Sequence, residues 1–480
     1  MESGEPSSAT QTGGPPWVWL VAALAAFSVL ILALFVQPDI SRGHDELLYL
    51  NAMEGFRAQG TRFQYAREPL YPVFLAALDS MGVSPLRCVA FVQNALCLGA
   101  LYFFLRSLFG EAMDRARTLL LSSAITLLPT FLIVMNGSIY TESLSFSLIC
   151  VMLGALIFMM RNLREDGSRA SVVLFFGMIV FSSAALGLIK GTFAFVHLAF
   201  AGAALLWLIY IRVRSGTATN ENRLRFPVLA AALIVTGIAS QLATSLWLRH
   251  QQSISSAPLE VYSRGGVVLY GRTQYANRFD FKMDSARYLL CALSISAYRR
   301  FYYEDGFEYT FDAENQIGYR ALEQPGSSDA ELFRLGLNDL AHSPLRQAVF
   351  CFFELARFIA HHTNSGFAAL TMPAVGPLVH STAAAVLLKV FNAALYLHLL
   401  YRLVQWRRRN ITIADVLNGL PPETRSGLIV MSLYVLAYLA VYSFSSTIVR
   451  MVYPVAPFLI VLNSVALIAN ARLPQCGAKA

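Results

Sequence analysis

Two adjacent carboxylates, Asp45 and Glu46, open the stretch "GHDELLYLNAMEGF" a few residues after the first long apolar run of the chain. Carboxylates can take up protons and hold cations, and lysine or arginine can hold an anion. Residues of these types recur at the edges of further apolar runs: Glu68 in "YAREPLYP", Glu142 in "YTESLSF", Lys190 in "LGLIKGTF" and Arg450 in "TIVRMVYP". Charged groups at membrane depth are costly and persist mostly where they pair or serve a substrate. Each has a purely structural use as well. Asp45 and Glu46 suit the positive end of a helix, and Glu142 after Thr141 suits a first helical turn. Lys190 and Arg450 can extend to the membrane interface. Co-location is what sets the group apart, because the topology puts all six on one side of the membrane.

That topology follows from composition and charge. The chain has 480 residues, 56% hydrophobic and only 14% charged, whereas soluble domains carry about a quarter charged residues. Most of it must lie in lipid. Apolar runs long enough to cross fall near 17–36, 84–108, 117–135, 141–160, 171–189, 192–211, 227–247, 379–403, 427–446 and 451–471. The expected fold is therefore an all-α polytopic membrane protein of about ten transmembrane helices (10–12). Its arginines cluster between runs: Arg161, Arg164 and Arg169; Arg212, Arg214, Arg223 and Arg225; Arg402 and Arg407 to Arg409. Cytoplasmic loops carry this excess. Both ends of the chain then lie in the cytoplasm, and 37–83, 136–140, the Lys190 turn, 248–378 and 445–450 lie outside. The loop 37–83 carries Arg42, Arg57, Arg62 and Arg67, an exception that long translocated loops tolerate. The net charge of +8 is spread over helix ends, which argues against a nucleic-acid partner.

Residues 1–16 contain acids and no Lys or Arg, so they read as a disordered cytoplasmic tail before a retained helix, not as a signal peptide. Residues 17–247 form the expected transmembrane catalytic module, and 379–480 supply the C-terminal transmembrane helices. Between them 248–378 forms an extracytoplasmic loop or small domain. Two runs do not read as spans. Residues 44–59 place Leu47, Leu50, Met53 and Phe56 on one flank, and 345–361 carry Arg346, Glu354 and Arg357 through an apolar run. Both are expected to be amphipathic helices on the outer membrane surface. Cys291 and Cys351 fall outside the cytoplasm and are free to pair, although nothing in their spacing demands it. There is no CxxC or Cys/His framework, so no metal and no cofactor is implied.

An Asp-Glu pair at the head of a first outer loop, an amphipathic helix and then "REPLYPVFLAAL" resemble the C-type membrane glycosyltransferases. The likeness is to the dolichyl-phosphate-mannose-protein mannosyltransferase-like family, which includes bacterial aminoarabinose and galacturonic acid transferases. "YTESLSFSL", the Lys-Gly of "GLIKGTFAF" and "RMVYPVAPFL" follow in the family's order, and residues 248–345 match only loosely. The paired Trp-Trp-Asp motif of oligosaccharyltransferase catalytic subunits is absent. The resemblance implies transfer of a sugar from a polyprenyl-phosphate-linked donor to an acceptor hydroxyl outside the cytoplasm, with inversion, in a plasma (inner) membrane. It makes Asp45 the catalytic acid residue and Glu46 a second acid for orientation or acceptor binding. Lys190 and Arg450 would hold the donor phosphate, Glu142 would orient Lys190 or the acceptor, and Glu68 stands where some relatives keep an acid used in acceptor or metal contacts. A transporter or flippase of a lipid-linked anion would instead need ionisable residues near mid-membrane and paired inverted repeats. A non-catalytic scaffold would keep its function without Asp45.

Overall fold

Long apolar runs in lipid must satisfy their own backbone, and here they do so as helices. The computed structural model describes residues 15–36, 44–64, 68–127 except 83, 139–214 except 166, 220–254, 265–293, 311–361, 400–409 and 412–445, with a few isolated positions besides. Among these the fold is helical, without strands. The helices are α1 (Pro16–Leu34), α2 (His44–Gln59), α3 (Leu70–Ser80), α4 (Pro85–Phe109), α5 (Arg115–Leu127), α6 (Thr141–Arg164), α7 (Arg169–Ile189) and α8 (Thr192–Arg214). After them come α9 (Asn220–Ile254), α10 (Gly265–Arg278), α11 (Asp284–Leu293), α12 (Phe311–Leu322), α13 (Asp329–His342), α14 (Pro344–His361), α15 (Ile413–Asn418) and α16 (Pro422–Ser445).

Seven of the described helices are long and apolar enough to cross a bilayer: Pro16–Leu34, Cys88–Ala112, Thr141–Arg164, Arg169–Ile189, Thr192–Val213, Phe226–Ile254 and Thr424–Tyr442. All seven were expected from hydropathy. The expected run 117–135 is described only as α5, and 379–403 and 451–471 lie largely outside the described residues. The chain is thus an α-helical polytopic protein.

α6 is the central helix. Leu101, Phe104 and Leu108 of α4, Phe193 and Phe200 of α8, and Tyr434 and Tyr438 of α16 share one core with its Ile149, Leu153 and Leu156. Apolar faces of α1, α8 and α9 stay outward, including Trp17, Phe27, Leu206 and Leu242. In lipid such exposure carries no penalty, because tails are as apolar as a core. Several hydroxyls inside the bundle are satisfied within their own helix. Ser145 and Ser147 of α6 donate to the carbonyls of Thr141 and Ser143, four residues back, at 2.7 and 3.0 Å. α7 meets α9 at Gly187, where a Cβ would stand 2.5 Å from the Ser240 carbonyl oxygen. Only glycine permits that approach.

One end of the bundle is rich in arginine. Arg106 donates to the carbonyls of Gly110 and Met113, both at 2.7 Å, closing the α4–α5 turn. Arg164 donates to Ser426 Oγ at 2.7 Å, tying the last turn of α6 to the first of α16. Arg161 pairs with Glu165 at 2.9 Å.

Residues 265–293 and 311–361 build a second helical body. α10 packs against both α12 and α13. At Gly266 a Cβ would run into the Asp329 carbonyl oxygen, and Asp329 Oδ1 accepts the Val267 N–H at 2.8 Å. Arg272 is wholly buried, donating to Gln347 Oε1 and Cys351 Sγ at 3.0 Å each and lying 4.6 Å from the Phe350 ring centroid. Cys291 and Cys351 are both free thiols, and burial pushes the Cys291 thiol up to about 11.

The runs 44–59 and 345–361 are the helices α2 and α14. α2 turns inward Met53 and Phe56 of the expected flank, with Leu50 packed against the same core, but not Leu47. Glu46, Tyr49, Met53 and Phe56 are buried, while Leu47 and Leu48 are exposed. The inward face has helical spacing, and it carries the acid.

Candidate functional site

At the end away from the arginines, several helix termini meet: the starts of α2, α6 and α8 and the ends of α7, α9 and α16. The first turn of each helix leaves backbone N–H groups without intrahelical partners, and the helix dipole adds positive potential there. All three described acids of this site use that field.

Glu46 stands in the first turn of α2 and is 3% exposed. Its Oε1 accepts the Ile139 N–H at 3.3 Å, so an acid from α2 serves the entrance to α6. No side chain of Tyr140, the residue that precedes α6, caps that helix. Glu142 lies in the first turn of α6, is 4% exposed, and accepts from Thr141 Oγ1 at 3.3 Å and from Lys190 Nζ at 3.4 Å. Lys190 sits just past the last turn of α7, with its backbone N–H on the Leu186 carbonyl. Glu68 comes from the segment before α3, and its Oε1 accepts the Gly191 N–H at 2.5 Å, immediately ahead of α8. A Cβ on residue 191 would lie 2.8 Å from that oxygen, so the Lys-Gly pair places a cation beside a backbone donor that an anion can approach closely.

Scaffolding residues hold these groups. Thr244 of α9 donates to the Gly187 carbonyl at 3.1 Å and fixes the end of α7. Tyr71 of α3 is buried, donates to Gln93 Oε1 of α4 at 3.0 Å, and meets the Tyr49 ring edge-on at 5.1 Å between centroids. Burial raises the Tyr71 phenol well above its ordinary value, and Tyr49, Glu142, Glu46 and Tyr140 add to the shift. On α16, Tyr438 and Tyr442 stack at 4.4 Å between ring centroids.

The structure therefore brings together Glu142 and Lys190, Glu68 and the Gly191 amide that follows Lys190, and Glu46 and the entrance to α6. Asp45 is on the first turn of α2 next to Glu46, but its side chain lies outside the described residues, as does the whole of Arg450. Tyr49, Tyr71, Gln93, Thr244 and Tyr442 were not singled out from the sequence. The one available signal was the spacing of Tyr434, Tyr438 and Tyr442, which puts three phenols on one face of a span.

No three of the described His, Cys, Asp and Glu side chains converge as a metal site, so the acids are distributed among helix ends. Chemically this is a place where an anion can meet Lys190 and N–H donors, with carboxylates on the other flank to accept protons. Neither protein-family models nor curated proteins give a match to this chain.

Proposed function

We propose that the protein is a glycosyltransferase that takes a sugar from a polyprenyl-phosphate donor and places it on an acceptor hydroxyl at the extracytoplasmic face. The observation that carries the reading is the pair of buried Glu142 with half-buried Lys190, flanked by Glu46 and Glu68, at the bundle end remote from the arginine-rich turns. Arginine-rich turns favour the cytoplasm, which puts the acids on the far side, where lipid-linked sugars are used. The leaving group is a lipid phosphate, and Lys190 is the described cation suited to its growing charge. The acceptor must lose a proton as it attacks the anomeric carbon. Asp45 is assigned to that step by the family likeness, together with its place beside Glu46 at the head of α2. Glu46 and Glu142 orient the groups around it, and a single displacement inverts the anomeric centre.

The transporter reading draws on His197, which is buried on α8 near Tyr434. It lies five residues from the start of that helix, about 8 Å below the acid end by helical rise. That is well short of the midplane of a hydrocarbon core about 30 Å thick.

The test uses purified protein in lipid with a polyprenyl-phosphate sugar and its cognate acceptor, read by mass spectrometry of the product. Asp45→Asn is expected to abolish transfer with insertion intact, and a nucleotide sugar should not replace the donor. Transfer within a few-fold of wild type in Asp45→Asn, or turnover with a nucleotide sugar, would overturn the assignment.

A further inference from the structure

α2 joins two distant parts of the bundle. Its first turn reaches the entrance to α6 through Glu46 and the Ile139 N–H at 3.3 Å. Its far end is tied to α9. The chain turns at Gly60, whose φ of 59° suits glycine, and residues 61–64 form a hook beside the helix they have just left. Phe63 fills the space that Gly55 leaves, where a Cβ would run into its ring. It meets Phe56 edge-on at 5.4 Å, and Phe56 lies 6.1 Å from Trp247 of α9, both between centroids. Three side chains then bond the hook to the end of α9. His250 Nε2 lies 2.8 Å from the Thr61 carbonyl oxygen; a carbonyl only accepts, so this nitrogen carries its proton. The buried Gln251 donates from Nε2 to the Phe63 carbonyl at 3.3 Å. In the other direction, Gln64 Nε2 donates to the Ile254 carbonyl at 2.9 Å, at the last residue of α9. These bonds join residues 188 to 190 positions apart, so none of them is needed to form either helix.

We propose that Gln64, His250 and Gln251 are positioning residues for the transfer step: they lock the far end of α2 to α9 and so set the place of Asp45 and Glu46 in its first turn. The inference rests on the transferase reading and adds to it what fixes the geometry of the base. Packing among Phe56, Phe63 and Trp247 is non-directional and tolerates a shift of the hook along α9. Hydrogen bonds on carbonyls of both segments do not, because each weakens steeply as its angle departs from linear. α2 acts as a bar about 21 Å long from Asp45 to Gln59 by helical rise, so a tilt of about 3° at the hook moves the first turn by about 1 Å. A displacement of that size can cost about a hundredfold in rate.

The experiment uses full-length protein in nanodiscs with a polyprenyl-phosphate sugar and its cognate acceptor, and measures kcat, KM for the donor and hydrogen exchange of the α2 amides. Gln64→Leu and Gln251→Leu nearly keep side-chain volume and remove the donors. In the double variant kcat is expected to fall about tenfold or more, with KM for the donor unchanged. The α2 amides should exchange faster while those of α4 and α6 do not. Gln64→Lys keeps an N–H donor for the Ile254 carbonyl, at the negative end of α9, and should retain wild-type kcat while Gln64→Leu does not. Faster exchange in α2 with unchanged kcat would overturn the positioning role, as would a fall in kcat with α2 exchange as in wild type. Equal kcat in Gln64→Leu and Gln64→Lys would overturn it too. If the double variant does not fold, the two Gln64 variants, at an exposed position, decide alone. In each of these cases turnover by wild type leaves the transferase reading standing. If wild type itself transfers nothing from the donor, that reading falls and takes the positioning role with it.

Discussion

Replacing Lys190 with Met separates its pairing with Glu142, seen in the structure, from its proposed role at the donor phosphate. The substitution keeps a long flexible stem and removes the charge 3.4 Å from Glu142 Oε1. Glu142 is left 4% exposed with Thr141 Oγ1 at 3.3 Å and without its cation. Breaking a fully buried pair costs about 3–5 kcal/mol, and an exposed pair contributes about 1 kcal/mol at most. Here one partner is buried, the lysine is 21% exposed and the contact is long. A cost of roughly 2 kcal/mol follows, equivalent to a Tm lower by about 2 °C for a cooperative unit of this length. Adding Glu142→Gln removes the stranded charge, so the double variant should recover to within about 1 kcal/mol of wild type. Transfer should not recover, because the phosphate still lacks its cation. The assay pairs thermal unfolding in detergent with turnover of a polyprenyl-phosphate sugar for all four members of the cycle. If the double variant regained turnover along with stability, Lys190 would be only the counter-ion of Glu142. Its role at the phosphate would then be refuted. A cost below about 0.5 kcal/mol in Lys190→Met would show that the pair contributes little to the fold.

Gly187→Ala drives a methyl against the Ser240 carbonyl oxygen and the Thr244 hydroxyl. It should lower stability by about 1–3 kcal/mol and reduce turnover by displacing Lys190 three residues on, measured by unfolding and transfer together. Single cysteines at Thr61, Glu111, Glu165 and Arg408, all exposed, test the sidedness in a background without the native cysteines. Thr61 should label with an impermeant thiol reagent on intact cells, and the other three only after permeabilisation. Labelling of Glu165 from outside would reverse the bundle and remove the acids from the proposed face.

Much of the architecture was legible in the chain itself. Runs of about twenty apolar residues can only be helices in lipid, so the seven described spans begin and end close to where hydropathy put them. The arginines between runs marked one end of the bundle, and the charged residues left at the other run ends were the site candidates. Glu46, Glu68, Glu142 and Lys190 were visible as types in the wrong surroundings, since a charge beside lipid needs a reason to be there.

The partners of those charges came only from the tertiary structure. That Glu46 serves the entrance to α6, that Glu68 reaches the amide after Lys190, and that Glu142 takes the ammonium depend on loops folding back over helix ends from distant parts of the chain. Local pattern carries no record of such closures. That α2 turns Glu46 inward and Leu47 outward was hidden for a different reason. In a soluble protein apolar means buried, but at a membrane Leu47 and Leu48 can face outward among lipids while Glu46 turns in. Tyr71 and Tyr442 escaped notice because a tyrosine in an apolar run reads as packing until the direction of its hydroxyl is known. Hydropathy fixes how many helices the bilayer holds, whereas hydrogen bonds in its low-dielectric interior decide which polar groups those helices bring together.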